Sequence, residues 1–238
     1  MTTIPAAVNN STWHQITTWF SAKASWFGAD GDAGVFHLLF QHLWISALSL
    51  AVTCAIGIPL AAALSRWRRG GVVVTSVANA ARSIPIVGVL LFLVVGPVSD
   101  GTQAAIIALV IFAVPPVLTN TFTGIHEVDG ETTRAAVGMG MTRFQVMWSV
   151  ELPLAIPLIA TGVRLAAVQI WATATIAAII GSGGLGELVT TGYSLQDYGE
   201  VYGGVVVIAV TAIALDGLMR RAEGRVRGRF GAAAPAIA

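Results

Sequence analysis

Charge is scarce in this chain. Only 11% of its 238 residues are Asp, Glu, Lys or Arg, and the formal net charge is +1. So slight a basic balance gives no reason to expect a nucleic-acid partner. Cysteine is nearly absent too: Cys54 stands alone in an apolar run, which excludes an intrachain disulfide and leaves no zinc spacing. His14, His37, His42 and His126 have no ligand spacing with other donors, so no metal site is expected. The chain lacks a Gly-x-x-x-x-Gly-Lys-Ser/Thr phosphate loop, so any ATP chemistry must come from another subunit and no cofactor is expected here. Paired carboxylates and Ser/His or Cys/His sets gathered in one leaflet are missing, which speaks against a membrane enzyme. The opening MTTIPAAVNNSTWHQ has no basic region followed by an apolar run. A cleavable signal peptide is therefore not expected, and the first span should direct insertion itself.

What the chain does have is apolar length. With 55% hydrophobic residues and a mean hydropathy of +0.78, it carries more apolar surface than a soluble domain of this size could hide. It reads as an all-α polytopic membrane protein. About 20 apolar residues cross a bilayer at about 1.5 Å per residue, and five runs qualify: about 38–64, 72–95, 102–122, 153–180 and 202–218. Residues 1–37 form a leader in which Trp13, Trp19, Phe20, Trp26 and Phe27 stand among polar residues. That pattern suits a helix in the headgroup region, or equally a loosely ordered leader. Residues 222–238 form a basic tail.

Arginine sets the orientation. Arg66, Arg68 and Arg69, then Arg134 and Arg143, then Arg220, Arg221, Arg225, Arg227 and Arg229 all fall on one side of the five spans. The other side has only Lys23 against Asp30, Asp32, Asp100, Glu187, Asp197 and Glu200. Short loops rich in Arg stay in the cytoplasm, so the amino terminus is expected outside and the carboxyl terminus inside. The expected location is a plasma (inner) membrane of bacterial type, crossed several times.

One cytoplasmic stretch, 126–152, is too structured in its signals to be a mere connector. Asp129 can cap a short helix through Ala136, and Gly138 and Gly140 then break it. Thr142 and Gln145 form a capping-box pattern for a second short helix through Val150, and Pro153 suits the first turn of the following span. Ala135 and Ala136 leave a shallow surface flanked by Val137, Met139, Met141, Phe144 and Met147. Two readings stand: a docking surface for a soluble partner, or an ordinary loop core packed under the membrane helices.

This stretch resembles the cytoplasmic signature of binding-protein-dependent ABC importer permeases: Glu-Ala-Ala, three residues, Gly, nine residues, Ile, one residue, Leu-Pro. Here it is Arg134, Ala135, Ala136, then Gly140, Val150, Leu152 and Pro153, with every interval kept. Arg134 stands at the acidic position, with Glu131 one turn away, and Val150 at the isoleucine position. HLWISALSLAVTCAIGIPLAAALSR, the Ser83-Ile84-Pro85 segment, NTFTGIHEVD, RAAVGMGMTRFQVMWSVELPLAIP and AAIIGSGGLGELV extend the likeness over about 38–221, the permease domain, and narrow it to the osmoprotectant branch. The resemblance implies a type I importer fold of the MetI-like kind, with coupling helices in the cytoplasm. It implies import of glycine betaine, choline, carnitine or proline betaine by alternating access, an ATPase dimer, a second permease chain, identical or sister, and an external substrate-binding protein. Arg134, Ala135, Ala136, Gly140, Met141, Leu152 and Pro153 would meet the ATPase. A permease for another solute such as an amino acid is the alternative. A secondary transporter should show internal repeats and broken helices with ion-coordinating carboxylates at mid-membrane, and the chain offers only Asp216 near one end of a span and no clear repeat.

Some features invite other readings. Gly181, Gly183 and Gly186 satisfy Gly-x-Gly-x-x-Gly, but they follow a membrane span rather than a strand, so a turn that reseals the outer mouth or lets the chain bend back fits better than nucleotide binding. Arg82 and Arg164 lie inside spans, where they would serve a pore or gate with Asp216 as counter-ion, or else snorkel while Asp216 pairs with Arg220. Trp171 could meet a quaternary ammonium by cation–π attraction or simply pack.

The orientation is testable. In a Cys54→Ala background, Thr132→Cys should react with a membrane-impermeant maleimide only after cells are permeabilised; labelling in intact cells would reverse the topology.

Overall fold

The apolar runs fold as helices, and no strand occurs among the described residues. The structure is a computed structural model that describes residues 10–28 and 33–230, without the side chains of residues 10–12 and Arg82. Asp30 and Asp32, used in the charge count above, lie outside the described residues. Two short helices come first, α1 (Asn10–Ser21) and α2 (Lys23–Phe27). The spans are α3 (Val35–Leu64), the pair α4 (Gly70–Ser83) and α5 (Ile86–Val95), α6 (Gly101–His126), α9 (Leu152–Ala177) and α11 (Tyr198–Phe230). Between them lie α7 (Gly130–Gly138), α8 (Arg143–Val146) with a π turn over Met147–Glu151, and α10 (Gly186–Leu195). Four continuous helices among the described residues are long and apolar enough to cross a membrane, and α4 with α5, bent by 81°, makes a fifth when the pair is counted as one broken span.

The break has a local cause. Pro85 forces the residue before it out of the helical region, and Ile84 sits extended at φ −90, ψ 126. A broken helix was expected of a secondary transporter, yet this one contains no carboxylate. At the start of α6, Asp100 accepts a hydrogen bond of 2.7 Å from the Gln103 N–H, the capping role that fixes where the span begins.

α6 and α9 form the central pair; α3 lies against both and α11 runs along α9. The seam is built from Ile45 of α3, Leu109, Ala113 and Val117 of α6, and Ala166, Ile170 and Ala174 of α9. Lipid is as apolar as these side chains, so such helices associate through close packing of small residues rather than through the hydrophobic effect. Gly162 carries the point further: a Cβ there would lie 2.8 Å from Asn120 Cβ and 2.9 Å from the Pro116 carbonyl oxygen. The α6 and α9 backbones can approach this closely only if position 162 has no side chain.

The leader is helical from Asn10 and packs on protein. Trp19, Phe20 and Trp26 pack against a cluster that includes Val35 and Leu38 of α3, Leu188 of α10 and Val207 of α11. The helix that carries the last span is longer than the span itself. It continues as one helix to Phe230, so the basic tail begins as its extension, because Arg, Ala and Glu are good helix formers in water.

Gly162→Val should overpack the central seam at about 1–3 kcal/mol and lower the melting temperature of the detergent-purified protein. Gly228→Ala, with nothing within 4 Å of the added methyl, should leave it unchanged or slightly raised.

Candidate functional site

The polar stretch folds from its caps outward. Asp129 starts α7 by accepting from the Glu131 N–H at 3.1 Å. The helix ends in a Schellman turn: the Met141 N–H reaches back to Ala136 O at 3.2 Å and the Gly140 N–H to Val137 O at 2.9 Å. Gly140 occupies the left-handed position of that turn at φ +90, which a side chain would strain. The capping box then forms as its sequence predicts, with Gln145 N to Thr142 Oγ1 at 3.3 Å and Thr142 N to Gln145 Oε1 at 2.8 Å.

The next element departs from expectation. The second short helix and the span are not separate; helix is continuous from Arg143 to Ile180. The Leu152 N–H bonds to Met147 O, five residues back. Pro153 has no N–H to offer, and placing the wide turn directly before it puts the missing donor at the change of register. Within this turn Glu151 is buried, its side chain 8% exposed, and Arg66 from the loop after α3 pairs with it at 2.7 Å. The same guanidinium donates to Arg143 O at 3.3 Å. One arginine thus ties the first basic loop to the base of the α7–α8 hairpin.

The two readings of the apolar residues divide between side chains. Ala136 is buried, and Met147 packs with Ala62, Ile125, Leu152 and Ala155. Ala135 is exposed, and around it Val137 is 52%, Met139 78% and Phe144 73% exposed. These last form an exposed apolar surface on an ordered hairpin, with the Phe144 ring centroid 5.9 Å from that of exposed Trp148. Arg134 approaches Glu131 at 4.0 Å with both side chains largely in the open, so this pair leaves the arginine available to a partner.

A cavity of about 710 Å³ opens where α4 and α5 break, walled by α6 and α9. Thr75, Asn79, Thr119, Asn120, Gln169 and Thr173 supply its polar lining and Phe112 its aromatic one. Of the residues singled out by sequence for a pathway or gate, none of the described side chains reaches it. Arg164 turns toward α11, 3.9 Å from Asp216. Its Nε lies 3.2 Å from Glu223 Oε2, close enough for an ion pair although the N–H is not aimed at the oxygen. Asp216 also pairs with Arg220, so the gate and snorkelling partners expected for it are both present. Glu223 is held further by Arg227 at 3.0 Å and Thr161 at 2.7 Å. Trp171 is 3% exposed, edge-on to His42 with ring centroids 4.4 Å apart, and its backbone carbonyl lies 3.2 Å from His42 Nε2. It packs between spans and has no face on the cavity. The Arg82 backbone is in the last turn of α4 beside cavity-lining Ala81, and its side chain lies outside the described ones.

On the opposite face Gln41 accepts from the Gly184 N–H at 3.1 Å, joining the glycine-rich turn to α3. No strand precedes that turn, as a dinucleotide site requires.

Residues 55–228 match the family described as binding-protein-dependent transport system inner membrane component. The chain belongs to this family. A glycine betaine/carnitine/choline transport system permease protein, OpuCB of Bacillus subtilis, is 33% identical over 78% of this chain and 85% of its own length. The osmoprotectant import permease protein OsmW of Salmonella typhimurium is 34% identical over 78% of this chain and 88% of that one. In fold, the permease is similar to a chain of the MetNI methionine ABC transporter in an inward-facing conformation, with a TM-score of 0.69 at 23% identity over 81% of this chain and 95% of that chain.

Sequence reasoning passed over Arg66, Glu151 and Glu223 in this permease. The available signal was charge at the rim of an apolar segment: Glu151 sits two residues before Pro153, and Glu223 lies seven residues after Asp216 on the same side of α11. Each such carboxylate needs a cation nearby, but which arginine supplies it is a matter of helix facing.

Removing either partner of the Arg66–Glu151 pair should destabilise the purified permease, by about 1–3 kcal/mol for a charged hydrogen bond with one half-exposed partner. In a double-mutant cycle with Arg66→Met and Glu151→Met, the double variant should be less destabilised than the sum of the singles; simple additivity would show that the contact carries no coupling.

Proposed function

We propose that this permease imports a small quaternary ammonium or zwitterionic osmoprotectant such as glycine betaine, choline or carnitine, driven by a separate ATPase. The observation that carries the substrate class is an identity of 33–34% over more than three quarters of the chain with permeases named for those solutes. Likeness to the methionine transporter lies at 23% identity and speaks to fold alone.

The drive enters at the hairpin. Val137, Met139 and Phe144 lie exposed with Ala135 on the hairpin, Phe144 beside Trp148, the arrangement of an apolar anchor for a cytoplasmic ATPase dimer. Because α8 continues into α9, a push on that surface moves the fourth span as a lever rather than being absorbed in a flexible joint. Arg66 carries the same displacement to the end of α3, and the Arg164–Glu223–Arg227 cluster carries it to α11. Two-state rocking of these helices is the alternating-access step. Ala135, Ala136, Gly140 and Met141 form or shape the contact, while Leu152 and Pro153 set the junction with the span. The hairpin faces the cytoplasm and the amino terminus the exterior, in keeping with the arginine bias.

The exposed Asn79 amide of α4 supports a second permease chain. Asn79 is exposed in the single chain within a span, where lipid would leave its amide unsatisfied, whereas the Thr75 hydroxyl already donates to Gly71 O at 2.9 Å. Covering Asn79 with a second copy or a sister chain encloses the cavity between two permeases. An external binding protein would deliver the solute to it.

Co-expressed with its ATPase, the wild type should purify as a complex and Phe144→Asp should lower ATPase recovery about tenfold, the loss of an anchor of ~1.4 kcal/mol. Proteoliposomes supplied with the binding protein should take up labelled glycine betaine or choline but not an unrelated amino acid. Full recovery with Phe144→Asp would remove the docking assignment, and preferential amino-acid uptake would remove the substrate assignment.

A further inference from the structure

The permease carries two consecutive prolines in α6, and their consequences converge on the cavity. Pro116 has no N–H, so the Phe112 carbonyl four residues earlier is left without its helical donor. Gln169 of α9 supplies one: its Nε2 donates to Phe112 O at 2.9 Å. One turn along, Asn120 Nδ2 donates to Pro116 O at 2.8 Å. Both amides are therefore oriented by their own N–H groups, and both line the cavity. Their carbonyl oxygens accept no hydrogen bond from the protein among the described residues. Phe112 is the aromatic residue of the same lining.

We infer that this cavity is a solute site in the permease itself, in which the Asn120 and Gln169 oxygens and the ring of Phe112 receive the cationic head of a quaternary ammonium solute. The inference rests on the substrate class proposed above and adds the residues that recognise it. An ammonium bearing methyl groups has no N–H to donate, so it is held by oxygen dipoles and an aromatic face rather than by directional hydrogen bonds. No ionisable side chain among the described residues lines the cavity. Dipoles without a fixed counter-ion suit a transit site, since a full ion pair in a low-dielectric wall would hold the cation too tightly to release it. A volume of about 710 Å³ lies within the range of about 300–1,000 Å³ usual for small-molecule sites. Trp171, for which the sequence left open this contact or simple packing, is packed against His42, and Phe112 is the aromatic residue in the cavity wall.

The test uses the complete transporter, with ATPase and binding protein, in proteoliposomes, and reads choline or glycine betaine uptake together with ATP hydrolysis. Phe112→Leu should cut uptake about tenfold while hydrolysis stimulated by the loaded binding protein stays within about twofold of wild type. Phe112→Tyr should restore uptake, and Asn120→Leu should behave like Phe112→Leu. In the permease–ATPase complex without binding protein, a cysteine placed at Asn79 in a Cys54→Ala background should be protected from a methanethiosulfonate reagent by choline. Its neutral carbon isostere 3,3-dimethylbutanol should not protect. Unchanged uptake in both Phe112→Leu and Asn120→Leu, a parallel fall of uptake and hydrolysis, or equal protection by the two compounds would each overturn the site. A wild type that transports none of these solutes would instead defeat the functional reading.

Discussion

The ion pair between Arg66 and Glu151 sits at the point where the long helices of the permease give way to the exposed α7–α8 hairpin. Glu151 lies in the π turn that joins the hairpin to α9, and Arg66 reaches it from the loop that ends α3 while also holding the Arg143 carbonyl. The pair holds an enclosed carboxylate against its cation and so fixes the hairpin to two spans at once. The continuous helix from Arg143 ties the hairpin to α9, and Arg66 adds a second attachment at the end of α3.

A second cluster repeats the device one helix further on. Glu223 gathers Arg164, Arg227 and Thr161, and Asp216 serves Arg164 and Arg220, so α9 and α11 are joined by charge where they leave the apolar region. Between these polar fastenings the spans meet through alanine, glycine and β-branched residues. Contacts of that kind allow helices to slide and tilt with little loss, whereas the charged ends keep them in register. The combination suits a bundle that rocks as bodies about fixed ends.

The prolines serve the opposite purpose. Pro85 breaks the second span, and Pro115 with Pro116 strips donors from α6 facing that break. Irregular backbone within a membrane is tolerated where it borders a cavity or is satisfied by neighbouring side chains, and here both hold: the Gln169 amide of α9 answers the Phe112 carbonyl that Pro116 frees, beside a space of about 710 Å³. Function is thereby divided along the chain, with stiff charged joints at the hairpin face and a loosened, dipole-lined middle.

Much of this was written locally. Apolar run length set the spans, and arginine sorted their ends. Asp129, Gly140, Thr142 and Gln145 fixed the start, stop and restart of the hairpin helices, because a cap is satisfied by residues two to five positions away and needs nothing from the rest of the fold. The spacing Ala135-Ala136, Gly140, Leu152-Pro153 carried the family with it. Tertiary structure decided what depends on which way a helix faces. It turned Trp171 into the core against His42 and set Phe112 in the cavity wall; it gave Glu151 to Arg66 and Glu223 to Arg164. It also ran α8 into α9, where sequence suggested a stop, since only the packing of Met147 and the burial of Glu151 hold the π turn that lets a helix pass a proline. Periodicity names a face without naming its neighbour, and in a bilayer, where every face is apolar, the neighbour is chosen by shape and by the few polar groups that must find one another.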